Sequence, residues 1–182
     1  MYAVGLYIKD KGIKKEAFDV LLSLIGNHAS HEEINGFDVF FHNYDSAIEI
    51  KQLILSISTE FMLPIKGYIS NNKSLDRLKE ELDLVTVVLN DMGNEIYNLK
   101  EVIPFVSNPI LKKKILDYIL DGTGITTDFI REFALSDLNV SLASKKMFIH
   151  RNTMIYKLDK FHQDTDFDLR HFIDCHLLYS LI

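Results

Sequence analysis

Residues 139–161, NVSLASKKMFIHRNTMIYKLDKF, constrain the fold more than any other stretch of the chain. Asn139 predicts the N-cap of a helix over Val140–Phe148, and Ala143 supplies the small side chain that lets a second helix cross it closely. Ile149 is expected to plug the core at the turn. In the second helix Met154, Leu158 and Phe161 are spaced four and three apart, so they share one face. Two short helices joined by a tight turn make a helix-turn-helix. The residues before it then form a body that positions the unit, and those after it form a helix that closes its core.

The spacing leaves His150, Arg151, Asn152, Thr153, Tyr156, Lys157 and Lys160 at the amino end or on the outer face of the second helix. Lys145, Lys146, Arg151, Lys157 and Lys160 stand against a single acid, Asp159, in a chain whose formal net charge is −6. Non-specific coating of nucleic acid is driven by neutralising phosphates, so an acidic chain is not built for it. An acidic body with one basic patch fits an oriented DNA contact. Arg pairs with a guanine edge and Asn with an adenine edge, which makes Arg151 and Asn152 the apt base readers. Lys145, Lys146, Lys157 and Lys160 then suit phosphates, with Ser141, near a helix start, as a further phosphate contact. The plain alternative is a solvated basic helix in a helical bundle, with Asn152 and Thr153 as caps or packing residues.

Taken in order, Tyr2–Ile8 reads as a buried strand and Lys14–Ile25 as an amphipathic helix, between stop signals at Gly12 and Gly26-Asn27. His28–Glu33 reads as a polar loop. Ile34–His42 carries a second strand, with Asn35-Gly36 as a turn before it, and Asp45 or Ser46 caps a helix over Ala47–Ser58 with Ile50, Leu53, Ile54 and Ile57 on one face. Phe61–Ser70 is a third strand, placed at an edge or begun late because of Pro64. Ser74 caps a helix with Leu75, Leu78, Leu82, Val85 and Leu89 inward and Asp76, Arg77, Lys79, Glu80, Glu81 and Asp83 outward, ended by Gly93.

Glu95–Ser107 is ambiguous between strand and short helix. Asn108-Pro109 caps and starts a helix over Ile110–Leu120, with Ile110, Leu111, Ile115, Leu116, Ile119 and Leu120 as its stripe. Gly122 and Gly124 close it, and Thr126 or Thr127 caps the next, Asp128–Leu135. From there the chain reads as all-helical. No internal repeat or low-complexity segment interrupts it.

At 182 residues and 47% hydrophobic, the chain can supply a core for one good-sized domain or two small ones. No apolar run reaches the ~20 residues that a membrane crossing requires. The start MYAVGLYIKDKG lacks the basic residues of a signal peptide, and Cys175 has no partner for a disulfide, so a cytoplasmic protein is expected. His28, His31 and His42 with Glu32 and Glu33 match no compact ligand motif, and His171 and Cys175 read as a surface imidazole beside a buried thiol. No catalytic arrangement, metal site or cofactor site is expected.

FIHRNTMIYKLDKF, preceded by NVSLASKKM and followed by DTDFDLRHFIDCHLLYSL, resembles the carboxy-terminal helix-turn-helix of the PucR/CdaR family of bacterial regulators. The hallmark is an HRNT segment and a Tyr-basic-Leu step, here His150-Arg151-Asn152-Thr153 and Tyr156-Lys157-Leu158; the resemblance spans Ile110–Leu181. Phe148 stands where many helix-turn-helix units have Gly in the turn, a Gly that members of this family often lack as well. Tyr2–Asn90 is similar, more weakly, to the degenerate cyclase-like (GGDEF-like) domain that precedes this unit in such regulators. Asn35-Gly36-Phe37-Asp38 lacks the paired carboxylates of an active cyclase, so no cyclase activity is implied. Longer members also carry an amino-terminal sensor domain, for which no counterpart is expected here.

These readings predict an α+β chain: a small cyclase-like sheet-and-helix domain over 1–100, sensory or oligomerising, then an all-α helix-turn-helix domain over 101–182, with the boundary within Asn94–Ser107. The expected function is sequence-specific regulation of transcription by a non-enzymatic homodimer on double-stranded DNA, open to a small-molecule effector and without a membrane association. The alternatives are an interaction module that docks an acidic partner and a ligand-binding vestigial cyclase-like protein.

Overall fold

The computed structural model describes residues 2–8, 19–20, 30–34, 36–42, 47–60, 62, 65–70 and 74–182. Of the helix expected over Lys14–Ile25, only Asp19 and Val20 are described, and both are helical. The Gly12 and Gly26-Asn27 stops, His28, Asn35, the caps at Asp45 or Ser46, and Pro64 lie outside the described residues. The chain divides into two compact units, Met1–Val102 and Ile103–Ile182.

Among the described residues, the first unit is built on a five-stranded sheet of order β2-β3-β1-β4-β5. Its central strand β1 (Tyr2–Ile8) runs antiparallel to β3 (Phe37–His42) on one side and β4 (Ile65–Ser70) on the other. The edge strand β2 (Ser30–Ile34) pairs antiparallel with β3, and β5 (Ile96–Tyr97) pairs parallel with β4. Ile34 faces Phe37 across the hairpin, whose turn residue Gly36 has φ +81°, a left-handed value that suits Gly.

One expectation for the strands changes. Ser30–Glu33 is strand rather than loop: it lies on the sheet edge, held by backbone pairing, where exposed Glu32 and Glu33 are tolerated and no apolar alternation is needed. Of the two alternatives for the third strand the late start holds: β4 begins at Ile65 and is an interior strand between β1 and β5, not an edge.

The helices α1 (Ala47–Glu60) and α2 (Leu75–Leu89) bury Ile50, Ile54 and Ile57, and Leu78, Leu82, Val85 and Leu89, at the expected helical spacing. Leu53 and Leu75 are only half-buried. Ser74 makes no side-chain cap bond; its carbonyl accepts the N–H of Leu78 instead. Glu81, expected on the outer face, is buried and accepts a short hydrogen bond from the phenol of Tyr68, which itself has no solvent exposure. That bond offsets the penalty of burying a carboxyl. At the other end of α2, Lys66 Nζ donates to the carbonyls of Leu89 at 2.6 Å and Asn90 at 3.1 Å, placing a cation at the helix carboxy terminus.

The ambiguous Glu95–Ser107 region resolves into β5, the short helix α3 (Leu99–Val102) and one 3-10 turn, Ile103–Phe105, that accommodates Pro104. Asn98 and Glu101 form a reciprocal capping box around the start of α3, with bonds of 2.9 and 3.0 Å.

The second unit is helical: α4 (Pro109–Leu120), α5 (Thr127–Ala134), α6 (Val140–Lys146), α7 (Arg151–Thr165) and α8 (Phe172–Tyr179). Asn108 Oδ1 accepts from the N–H groups of Ile110 and Leu111, and Thr126 Oγ1 from that of Phe129. Gly122 and Gly124 both have positive φ where α4 ends. Ile115, Leu116 and Ile119 are buried as expected, but Ile110 is 70% exposed. At 3.6 residues per turn Ile110 falls on the side of α4 opposite Ile119, so it was never part of the stripe. α5 packs on α6 and α8, and α6 packs on α7.

The pair of hydrogen bonds accepted by Asn108 should be worth ~1 kcal/mol. Asn108→Ala is expected to lower the urea midpoint accordingly while Asn108→Asp keeps most of it; equal midpoints for Ala and the parent would show that α4 does not need its cap.

Candidate nucleic-acid interface

Asn139 caps α6 as its sequence position predicts: Oδ1 accepts from the N–H groups of Ser141 and Leu142, both at 3.0 Å. It is set up by two consecutive left-handed residues, Asp137 (φ +53°) and Leu138 (φ +58°). Ala143 has no solvent exposure where α6 packs against its neighbours. The helix ends at Lys146, not Phe148. The N–H of Phe148 donates to the Lys145 carbonyl and that of Ile149 to the Ser144 carbonyl, the paired bonds of a Schellman motif. That motif needs a left-handed residue, and Phe148 supplies it at φ +53°. Ile149 is half-buried at the turn.

α7 then starts under its own cap. His150 Nδ1 accepts the N–H of Asn152 at 3.2 Å, which requires the proton of a neutral imidazole to sit on Nε2. Met154, Leu158 and Phe161 have no solvent exposure. Burying that face turns Asn152, Tyr156 and Lys160, at i, i+4 and i+8, to the opposite side, where all three are exposed and Tyr156 retains 67% of its surface.

The expected site residues therefore divide by environment. Ser141, Lys145, Arg151, Asn152, Thr153 and Lys160 are exposed. His150 is exposed but serves as a cap. Lys146 Nζ donates to the Leu135 carbonyl at 3.1 Å, and half-buried Lys157 donates to the Gly124 carbonyl at 3.1 Å. These two lysines tie the helix pair to the chain turns before and after α5.

A residue outside the expected set alters the electrostatics. Asp159, the one acid of residues 139–161, accepts from Arg170 Nη1 at 2.7 Å. Arg170 also grips Asp168, through Nε at 2.8 Å and Nη2 at 3.0 Å. Burial pushes the Asp168 carboxyl up, but the hydrogen bonds and charge of Arg170 outweigh it and hold the group below the usual carboxylate value. The bond to Asp168 likewise raises the guanidinium. Asp166, left-handed at φ +64°, ends α7, and the buried Asp174 accepts the Asp168 N–H at 2.8 Å. The only sequence signal for this clamp is a lone Arg between acids, eleven positions past the acid it neutralises.

Exposed Arg151 and Asn152 at the amino end of one helix, a second helix across a tight turn and a neutralised lone acid make a basic, hydrogen-bonding face. Residues 127–181 match the PucR C-terminal helix-turn-helix domain. The matched span of this PucR-type domain runs from the start of α5 past the end of α8, so it includes the Arg170 clamp as well as both helices of the motif. The crystal structure of a regulator of polyketide synthase expression from Bifidobacterium adolescentis is similar at 13% identity and a TM-score of 0.44, over 98% of this chain and 77% of that one. No curated protein matches the chain.

Away from this face, Cys175 is buried, and burial pushes its thiol up to about 11; His171 is exposed at the start of α8. No helix among the described residues is long and apolar enough to cross a membrane.

The depressed Asp168 carboxyl contributes stability above its unfolded value of ~3.9 that is lost as pH falls through its lower folded value. Because Arg170 and its partners are partly exposed, Arg170→Ala should cost only ~0.5–1 kcal/mol near neutrality. In thermal melts over a pH series, the gap between parent and variant should close in acid; a gap that persists at the lowest pH would rule out the carboxyl as its source.

Proposed function

We propose that the protein is a sequence-specific DNA-binding regulator of transcription that presents the amino end of α7 to the major groove. The observation that carries this reading is the match of residues 127–181 to the PucR C-terminal helix-turn-helix domain, on a unit whose Arg151 and Asn152 are exposed at the start of α7. A recognition helix reads base edges with its amino-terminal residues while flanking cations hold phosphates. Arg151 and Asn152 are the readers; Lys145 and Lys160 are the phosphate contacts, with Ser141 beside the amino end of α6. Lys146 and Lys157 each spend one of three ammonium donors on a backbone carbonyl and would meet phosphate with the others.

One helix-turn-helix unit makes few base contacts, so we assign a homodimer on a two-fold site. The protein is a non-enzymatic, cytoplasmic bacterial regulator that needs no cofactor. Its first unit is a degenerate cyclase-like (GGDEF-like) domain that senses a small-molecule effector or oligomerises. A mainly antiparallel sheet in one unit with the helices α1 and α2, together with the weak resemblance of Tyr2–Asn90, supports that assignment.

The test is selection of duplexes from a random-sequence pool with the purified protein, followed by footprinting of the enriched sequence. The expected result is one protected palindromic site and an affinity that falls steeply with salt. Binding to acidic protein but to no duplex would overturn the reading.

Within the selected site, Arg151→Ala should cost ~1–3 kcal/mol at one base position and relax the preference there. Lys160→Ala should weaken binding to every duplex alike and lower the salt slope by about one. Titrations of both variants on selected and scrambled duplexes separate the two roles; variants indistinguishable from the parent on both would refute the assignment.

A further inference from the structure

Phe148 carries two costs that its position does not require. Its φ of +53° is a conformation that penalises a side chain by ~1–2 kcal/mol and that Gly would adopt freely. Its ring is 95% exposed. The bonds of the turn, from the N–H groups of Phe148 and Ile149 to the carbonyls of Lys145 and Ser144, involve backbone only, so the ring contributes nothing to them. A bulky residue held left-handed with its apolar surface in water is the kind of outlier from which a role outside the fold is inferred.

The surroundings say what kind of partner meets it. Within residues 139–158 there is no acid, and Lys145, Lys146, His150 and Arg151 all stand within three positions of Phe148 in sequence and are exposed. The partner at this spot is therefore an anion. Phe148 precedes the His150 cap of α7 by two residues, so whatever surface receives Arg151 and Asn152 also receives the ring at its rim. Duplex DNA offers apolar C–H groups there, the thymine methyl in the major groove and the deoxyribose edge of its wall, and aromatic contact with the methyl is a known mode of base reading.

We propose that Phe148 is a further DNA-contact residue, laying its ring on the apolar C–H edge of the duplex beside the bases that Arg151 and Asn152 read. This rests on the DNA-binding function proposed above.

Phe148→Gly and Phe148→Leu are compared with the parent on the pool-selected duplex, with Arg151→Ala alongside. Phe148→Gly should raise the thermal midpoint, because the left-handed residue is no longer strained, and yet weaken binding on the order of tenfold. Phe148→Leu, which keeps an apolar side chain, should retain most of the affinity. A duplex with uracil in place of thymine separates the two sources: if the ring meets the methyl, the parent loses affinity and the Gly variant loses no more; if it meets deoxyribose, the Gly variant's deficit is unchanged. Phe148→Gly binding within about twofold of the parent, while Arg151→Ala is impaired, would overturn the proposal and leave the DNA-binding function standing. A parent protein that binds no duplex overturns both.

Discussion

The buried seam of α7 governs the second unit. Met154, Leu158 and Phe161 lie on one face and have no solvent exposure, and each full burial of such a side chain stabilises by roughly 1.5–3 kcal/mol. Because helical geometry links every residue's direction to every other's, that burial leaves α7 no freedom to rotate. Asn152, Tyr156 and Lys160 must then face outward. Packing sets the orientation of the polar face, and the polar residues themselves need contribute nothing to it. The cap at His150 and the Schellman bonds before it set where the helix starts, which places Arg151 and Asn152 at its tip.

Electrostatics refine what packing presents. Counting residues between Asn139 and Phe161 suggests five equivalent cations and one opposing acid. In the folded unit two of the lysines hold backbone carbonyls at Leu135 and Gly124, and the acid is held by Arg170. The basic face thus depends on residues on either side of the motif, at the two ends of α5 and in the loop after α7.

What was legible in the sequence was local. Asn108-Pro109, Thr126 and Asn139 act within three residues of themselves, and each cap is where its residue type puts it. The apolar spacing of α1, α2 and α7 was readable for the same reason, since one period fixes one face. What was missed depends on pairing at a distance. β2 is polar and is a strand only because β3 offers its backbone; Glu81 turned inward because Tyr68, on another element, offers a hydroxyl. The absence of Gly at Phe148 marked the turn as unusual, but only the backbone shows that the residue accepts the left-handed conformation rather than avoiding it. The Arg170 clamp requires the reversal at Asp166, a residue type that tolerates the left-handed conformation but stands here among other acids that do not adopt it.

That clamp fixes the size of the piece that can be moved. A graft limited to residues 139–161 would transplant α7 with the Asp159 carboxylate uncovered, restoring a negative charge to the face that the native loop keeps masked. It would also strand Lys146 and Lys157 without the Leu135 and Gly124 carbonyls that hold them. The smallest self-consistent module therefore runs from the turn at Gly124 through α8, because α5 packs on α8 and Asp174 holds the loop that carries Arg170.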